Sequence, residues 1–491
     1  MISTTSLSII FLSVYTILII SVGLYNRKSE NSEDYFLASR RLPSWLLAIT
    51  FIASWWGGGS AIDLVDHAFR NGINSFWIYG VPVLLSTFLM FLFAKAIRKV
   101  GTVSQPQLME QRYNRWAGLL LTVFIIVFMV LTASVQAIVI GKFFHSFFGI
   151  SYNSGILIGT GIVLSYSFFG GFKGVVLTDF IQFVFFLFTA IYLFYVAYDT
   201  SGGLENVSRL AEKKGQIGYT SLFHNVSDQL AYVITFGASW MIQANIWQRI
   251  SAAKNATSAK KMMLISFFAF IPLYLMVTFT GMFSLVSYSS IPTGGIVPDM
   301  VRNISNPLLS SIIFVGLCSA IMSTMDSLLN TGAMSLTIDV FKRYISPSVS
   351  PQKNVMVGRV STLIMGGLAA LIAMRVDSVL KISWIGSDFL TTGAFIPLVL
   401  GFIWKRGSAT GAILSMLFGL LFSSYNLLVA MGLSLPVCWE IASSTQAIVG
   451  VLISLLIFIS TSLLFPDKND KADLFVNKAG MTVIGKSIEL K

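Results

Sequence analysis

The chain has 491 residues, of which 55% are hydrophobic and only 11% are charged, and it carries a formal net charge of +12 at pH 7. A soluble domain carries about 25% charged residues, so the composition excludes an ordinary soluble protein and predicts an all-α polytopic membrane protein. The three histidines are scattered, and the sequence contains no phosphate-binding loop, nucleophile elbow or zinc motif. We therefore expect neither an enzyme nor an ATP-driven pump, and no organic cofactor.

Apolar runs of about 20 residues are long enough to cross a bilayer as helices. They predict thirteen transmembrane helices, at residues 5–25, 44–66, 74–97, 116–144, 152–170, 175–198, 229–248, 262–287, 307–340, 355–376, 379–403, 409–431 and 441–465. With the N-terminus outside and the C-terminus cytoplasmic, most Lys and Arg lie on the inner side, as the positive-inside rule requires. This bias explains the positive charge without nucleic acid, and the short loops favour a bacterial plasma (inner) membrane.

The second segment contains an interruption at Ala53-Ser-Trp-Trp-Gly-Gly-Gly-Ser60. Consecutive glycines have little helix propensity, and backbone groups freed within a bilayer must find protein, ion or water partners. A break at this depth therefore indicates a backbone that lines a binding site. The alternative is a glycine patch that allows close packing of helices.

The seventh segment contains a similar interruption, at Tyr232-Val-Ile-Thr-Phe-Gly-Ala-Ser-Trp240. Broken helices in corresponding positions of two five-helix sets indicate an inverted-repeat transporter. The predicted division is a first helix and basic inner loop (1–43), a first repeat (44–200), an outer loop (201–228), a second repeat (229–406), two peripheral helices (407–465) and a cytoplasmic tail (466–491).

The ninth segment carries a polar cluster, Ser319-Ala-Ile-Met-Ser-Thr-Met-Asp-Ser327. The hydroxyls at 323, 324 and 327 share one helix face, and Asp326 is an ionisable group at mid-membrane, where a function is the usual reason for its presence. Hydroxyl and carbonyl oxygens suit a hard cation such as Na⁺. Asp179, in the sixth segment, is interpreted either as a further cation ligand or as an interfacial group paired with Lys173.

These motifs, taken together, resemble the sodium:solute symporter family, whose fold is LeuT-like. The resemblance runs from Asp34 to Arg406 and is carried by Gly170-Gly171 with Thr178-Asp179 and Gln182, by Gln248-Arg249, by Met322–Ser327 and by Thr337-Ile-Asp339. It implies a main sodium site formed by backbone oxygens of Ala53, Trp56 and Ala320 with the hydroxyls of Ser323 and Thr324. It also implies a second sodium near Asp179, Asp326 and Ser327. Because Asp326 stands where a hydroxyl is usual, it either tightens this second site or forms a salt bridge that leaves one sodium.

The substrate is less well determined by the sequence. Trp55-x-Gly-Gly-Gly59 and Trp384 before Ser387-Asp388 resemble the choline-transporter branch, in which aromatic rings hold a quaternary ammonium by cation–π attraction. The residues predicted to contact the solute are Ser54, Trp55, Gly57, Ser60, Asp63, Tyr79, Ser239, Trp240, Gln243, Trp384 and Asp388. Tyr79 and Trp240 lie one helical turn before the matching cage positions.

The sequence thus predicts a sodium-coupled symporter that imports a small organic solute by alternating access, with a choline-like cation or zwitterion favoured. The alternatives are an amino acid such as proline, a monocarboxylate, sialic acid or a sugar as the solute, proton coupling in place of sodium, or a transporter-like sensor. The expected partners are the solute and the lipid bilayer, with no nucleic acid and no obligate protein partner.

Overall fold

A computed structural model describes residues 3–25, 32–224, 226–376, 378–430 and 443–481. Parts of the predicted first inner loop (26–31), of the last outer loop (431–442) and of the cytoplasmic tail (482–491) lie outside the described residues. In the part described, the chain is helical with short connections and contains no strand, and an isolated bridge joins Leu42 and Ala253. The predicted all-α class is confirmed.

The helices follow one another along the chain without any intervening sheet. They are α1 Thr4–Tyr25, α2 Ser32–Leu37, α3 Ser44–Trp55, α4 Leu64–Asn71, α5 Gly80–Val100, α6 Gln105–Arg112, α7 Arg115–Phe148, α8 Tyr152–Ser201, α9 Leu204–Lys213, α10 Val226–Met241, α11 Ala244–Ala252, α12 Ala256–Phe283, α13 Ile296–Arg302, α14 Pro307–Met334, α15 Pro351–Ala373, α16 Val379–Asp388, α17 Ile396–Ile403, α18 Ala409–Ala430, α19 Ser443–Leu464 and α20 Lys471–Ala479. Wider π-helical turns occupy Gly59–Asp63, Ser335–Ile345 and Phe389–Phe395.

Among the described residues, ten helical stretches are long and apolar enough to cross a membrane. The chain is therefore a multi-pass membrane protein, while the number thirteen stays a prediction. α8 shows why the number of transmembrane segments is difficult to count. Its 50 residues would extend about 75 Å as one straight helix, far beyond the roughly 30 Å of a hydrocarbon core. It changes direction at Gly171, whose φ of 53° places it in the left-handed region. A Cβ there would lie 2.7 Å from the ring of Tyr35, so only glycine fits.

The first predicted interruption is observed. α3 ends at Trp55, Trp56 has φ −82° and ψ 64°, and helical structure resumes in the π-helical turn that leads into α4. An unbroken helix would bond the Gly57 N–H to the Ala53 carbonyl, but here it donates to the Trp55 carbonyl at 3.0 Å. The carbonyl of Ala53 is thereby released from the helix in the interior of the protein.

The second interruption lies later than predicted. Residues 232–240 are helical within α10, and the break comes at Ile242-Gln243, before α11 begins at Ala244. The small residue Gly237 allows close contact, since a Cβ there would lie 3.1 Å from Leu85. Gly237 therefore serves helix packing. The helix is interrupted instead at Gln243, whose ψ of 122° is extended.

α14 is the central helix of the bundle. Every residue from 313 to 335 is buried, and the helix packs against α8, α7 and α1. The predicted polar cluster of the ninth segment lies within this buried stretch. Its hydroxyl and carboxyl groups must therefore find partners among neighbouring helices rather than in water.

Candidate ion and solute site

The break between α3 and α4 is closed by a side chain from α7. The Gly58 N–H donates to Gln136 Oε1 at 2.8 Å, so one backbone group freed by the break is satisfied inside the protein. A Cβ on Gly57 would lie 2.6 Å from Gln136 Oε1 and 2.9 Å from Thr324 Oγ1. Glycine is required at this position because two polar side chains approach the backbone closely.

Three of the five predicted main-site residues meet where α3 faces α14. Thr324 Oγ1 lies 3.4 Å from the released carbonyl of Ala53 and 3.4 Å from the carbonyl of Ala320. Ions of the size of Ca²⁺, which Na⁺ closely matches, take oxygen ligands at about 2.4 Å, so two ligands at right angles are about 3.4 Å apart. These separations are long for hydrogen bonds and suit a shared cation.

The other two predicted main-site residues adjoin this cluster. Trp56 follows the helix end directly and has left helical geometry. Ser323 precedes Thr324 on α14, and its hydroxyl donates to Asp179 Oδ1 at 2.5 Å. That bond uses the proton of Ser323 and leaves its oxygen lone pairs for a second interaction.

Two of the three residues predicted for a second sodium, Asp179 and Ser327, bind a guanidinium group. Arg249 Nη2 lies 3.1 Å from Asp179 Oδ2 and 2.8 Å from Ser327 Oγ, and both charged side chains are fully buried. The same nitrogen donates to the hydroxyls of Thr50 and Ser54. Asp179 is therefore neither interfacial nor paired with Lys173. The cluster of carboxylate and hydroxyl oxygens that would suit a cation already contains the cationic group of Arg249.

Asp326 is not the partner of this salt bridge. Its Oδ1 accepts a bond of 3.3 Å from the Ser327 hydroxyl, and the Tyr166 hydroxyl also approaches it. Within the described residues, Asp326 Oδ2 has no hydrogen-bond partner. The predicted alternative of a salt-bridged Asp326 is therefore wrong, because Arg249 enters from α11 and pairs with Asp179 on α8.

A small cavity of about 60 Å³ lies beside the break. Its lining contains no charged residue, and it consists of Ser54, Trp55, Gly57, Gly59, Ser60, Tyr79, Phe128, Thr132, Val135, Gln136, Trp240, Gln243, Thr324, Ser383 and Ser387. The ring centroids of Trp55 and Trp240 are 5.8 Å apart, and those of Tyr79 and Trp240 are 6.2 Å apart. Tyr79 and Trp240 thus join Trp55 in one aromatic wall.

Four predicted solute contacts lie elsewhere. Trp384 and Asp388 line a different cavity, because they lie on another face of α16 from Ser383 and Ser387. The Ser239 hydroxyl donates to the Phe236 carbonyl of its own helix at 3.2 Å. Asp63 lies behind the aromatic wall, where it accepts a bond of 3.3 Å from Tyr79.

The sequence analysis missed several of the residues that the site uses. Phe128 is one of many apolar residues of α7 and no local pattern marks it, whereas Thr132 and Gln136 are spaced by four residues on that helix. Ser383 and Ser387 are spaced by four residues on α16, a signal that could have been recognised. Arg249 appeared only as part of a motif, although an arginine within an apolar segment calls for a partner.

Comparisons with known proteins agree with this architecture. The sequence profile described as "Sodium:solute symporter family" matches residues 35–419. A sodium/proline symporter of Haemophilus influenzae is 27% identical over 83% of this chain and 85% of its own length. A sodium/glucose cotransporter of Vibrio parahaemolyticus is 25% identical over 88% of this chain and 86% of its own length.

The fold is shared with a solved transporter. A Na⁺-coupled sialic acid symporter, described in a substrate-bound outward-open state, superimposes with a TM-score of 0.79 at 19% identity, over 94% of this chain and 99% of that one. This likeness confirms the predicted LeuT-like fold. The resemblance to the choline-transporter branch finds no support among these relatives. The chain belongs to the sodium:solute symporter family and is a sodium-coupled membrane transporter rather than an enzyme.

Proposed function

We propose that the transported solute is a small zwitterion, an amino acid of about the size of proline. The observation that carries this proposal is the small, uncharged and ring-lined cavity beside the helix break. A net charge on the solute would need a charged partner in a site removed from water, and none of the lining residues provides one. A zwitterion instead carries both charges itself.

The lining matches the two ends of an amino acid. Helical structure resumes just after the break, and the positive end of a helix dipole there favours a carboxylate. The amide oxygen of Gln243 and the hydroxyls of Ser383 and Ser387 can accept bonds from an ammonium group. The rings of Trp55, Phe128 and Trp240 provide an apolar surface for the side chain.

Size argues against the larger alternatives. A cavity of about 60 Å³ must widen even for a solute of the size of proline, and it must widen further for a hexose and further still for a nine-carbon sugar acid. A choline-like cation would leave the carboxylate-binding end of the cavity unfilled. Among the relatives, a sodium/proline symporter transports a solute of the proposed class.

We further propose a stoichiometry of one sodium ion per solute. Sodium binds Ala53, Trp56, Ala320, Ser323 and Thr324, and so joins the broken helix to α14. The set of Asp179, Asp326 and Ser327 takes no second ion, because the guanidinium of Arg249 occupies its oxygen cluster. Membrane potential then contributes about 2.3 kcal/mol per 100 mV to each cycle. Comparison of the reversal potential of solute-coupled current with the sodium gradient tests this ratio.

Alternating access follows from the position of the ion between the broken helix and α14. In the proposed orientation the N-terminus lies outside and the C-terminus is cytoplasmic. The ion holds α3 against α14 and stabilises the conformation that binds solute. An ion can couple to the solute only through such a difference in affinity between conformations. When the ion leaves, the broken helix loses this link to α14.

The test is uptake of radiolabelled proline into proteoliposomes under an inward Na⁺ gradient, with K⁺ as the control. Unlabelled glucose, sialic acid and lactate serve as competitors, and radiolabelled choline is offered as a separate substrate. We expect saturable, Na⁺-dependent uptake that none of these competitors reduces strongly. Uptake of choline or glucose in place of proline would contradict the zwitterion proposal. Uptake that persists in K⁺ and is abolished by an uncoupler would indicate proton coupling instead.

A further inference from the structure

A second, larger cavity lies on the other side of α16. It has a volume of about 410 Å³ and is bordered by α10, α16, α18 and α19. Its lining residues are Tyr232, Ser378, Leu380, Lys381, Trp384, Ile385, Asp388, Ser423, Asn426, Leu427 and Gln446. They lie near the ends of their helices that are predicted to face outside. None of them lines the central cavity.

The two cavities share α16 as a wall. Ser383 and Ser387 line the central cavity, whereas Trp384 and Asp388, one residue further on, line the second cavity. An aromatic partition completes the separation. The Trp384 ring lies 5.8 Å from the Phe236 ring, which in turn stacks at 4.9 Å on Trp240 in the wall of the central cavity.

The second cavity contains a buried carboxylate, and two polar side chains beside it keep atoms without a hydrogen-bond partner within the described residues. Asp388 is 4% exposed and accepts a bond of 2.9 Å from Thr392. Ser423 and Asn426 face the same carboxylate. Yet Ser423 Oγ and Asn426 Nδ2 make no hydrogen bond of ordinary length within the described residues. Polar groups with unused bonding capacity therefore line the cavity next to a negative charge.

Aromatic rings decide which kind of ligand this site fits. The rings of Tyr232 and Trp384 meet at 5.1 Å and an angle of 78° in the cavity wall. A cation held over Trp or Tyr gains from the ring quadrupole. Asp388 supplies the opposite charge and is buried, whereas Lys381, the like charge in the lining, is exposed to solvent. The chemistry favours an organic ammonium ion.

We propose that this cavity is a second ligand site, specific for a small organic cation, and that its occupancy changes solute binding in the central cavity. The coupling goes through α16 and α10, each of which contributes to both walls. A ligand between α16 and α18 fixes the position of α16 and thereby the positions of Ser383 and Ser387. Coupling of this kind is reciprocal, so the solute must alter the affinity for the cation by the same factor.

Binding is tested with choline as the probe, on the full chain in lipid nanodiscs and without added solute. We expect saturable choline binding and at least about tenfold weaker competition by 3,3-dimethylbutan-1-ol, its neutral isostere. Asp388→Asn and Trp384→Leu should each weaken choline binding about tenfold. Trp55→Ala, in the central cavity, should leave it unchanged. Size-exclusion chromatography checks that each variant is folded.

Several outcomes would overturn this inference. Absence of choline binding, equal competition by the neutral alcohol, or normal binding in both Asp388→Asn and Trp384→Leu would each do so. Loss of binding in Trp55→Ala would place the cation in the central cavity. Choline should also shift the apparent KM for proline in Na⁺-dependent uptake by the unmodified protein, but not by the Asp388→Asn variant. An equal shift in both proteins would contradict the coupling. The binding measurement uses no solute, so its result does not depend on whether proline is transported.

Discussion

Asp179 on α8 and Arg249 on α11 form an ion pair in which neither side chain is exposed, with 3.1 Å between Oδ2 and Nη2. Hydroxyls from α3 and α14 complete the surroundings of the guanidinium. Four helices are thus held together by one buried cationic group. Such pairs contribute little relative to well-packed apolar residues, but the loss of one partner leaves an uncompensated charge.

Arg249→Gln should therefore destabilise the protein by about 3–5 kcal/mol, because Asp179 would remain buried without its counter-ion. The measurement is the thermal unfolding midpoint in detergent, followed by fluorescence. Asp179→Asn combined with Arg249→Gln removes both charges and should recover much of the loss. An Arg249→Gln protein as stable as the unmodified one would contradict this account of the pair.

Thr324→Ala should weaken the apparent affinity for Na⁺ about tenfold or more, because the hydroxyl lies between two carbonyl oxygens at the proposed ion position. The Na⁺ dependence of uptake at fixed solute concentration gives this affinity. Ser319→Ala is the matched control, since the Ser319 hydroxyl bonds the Gly316 carbonyl on the same helix at 2.7 Å. The assignment fails if both variants respond to Na⁺ like the unmodified protein.

Gly57→Ala should abolish transport and destabilise the protein by about 1–3 kcal/mol, because its Cβ would collide with Gln136 and Thr324. Gly367→Ala provides the comparison. Gly367 lies in α15, and a Cβ added there would meet no atom within 4 Å, so alanine at this position should stabilise by up to about 1 kcal/mol. Uptake and thermal unfolding distinguish the two, and a functional Gly57→Ala protein would show that the break tolerates a side chain.

Trp240→Ala should raise the KM for solute about tenfold, because the ring forms the aromatic wall with Trp55 and Tyr79. Trp116→Ala is the control, since that tryptophan is 56% exposed and does not line the cavity. Initial rates of uptake over a range of solute concentrations provide both values. Equal KM values for the two variants would exclude Trp240 from the solute site.

Much of the fold could be predicted from hydrophobicity and glycine. The long apolar runs predicted a polytopic helical protein, and the three glycines after Trp56 marked the first break because glycine is a poor helix former. The second break was displaced from its predicted position, since Gly237 serves close packing and Gln243 bears no local signal for an extended backbone. Small residues alone do not distinguish a helix contact from a helix end.

The candidate site could be predicted only in part, for a similar reason. Ser323 and Thr324 were recognisable because polar residues in a buried helix are costly. Trp384 lines a different cavity from Trp55 and Trp240. Neighbouring residues on a helix face directions about 100° apart, and the sequence does not show which face meets which neighbour. Gln136 and Arg249 reach the site from distant segments, and only tertiary structure brings them there.

The right-angled contact between Trp55 and Trp240 has a practical consequence. Their ring centroids are 5.8 Å apart and their planes are inclined by 82°, so the electronic transitions of the two indoles are coupled. Such a pair contributes a signed couplet to the circular dichroism of the protein, and this signal changes when either ring turns. A solute that enters the cavity can therefore be followed without any label, through the light that the transporter itself absorbs.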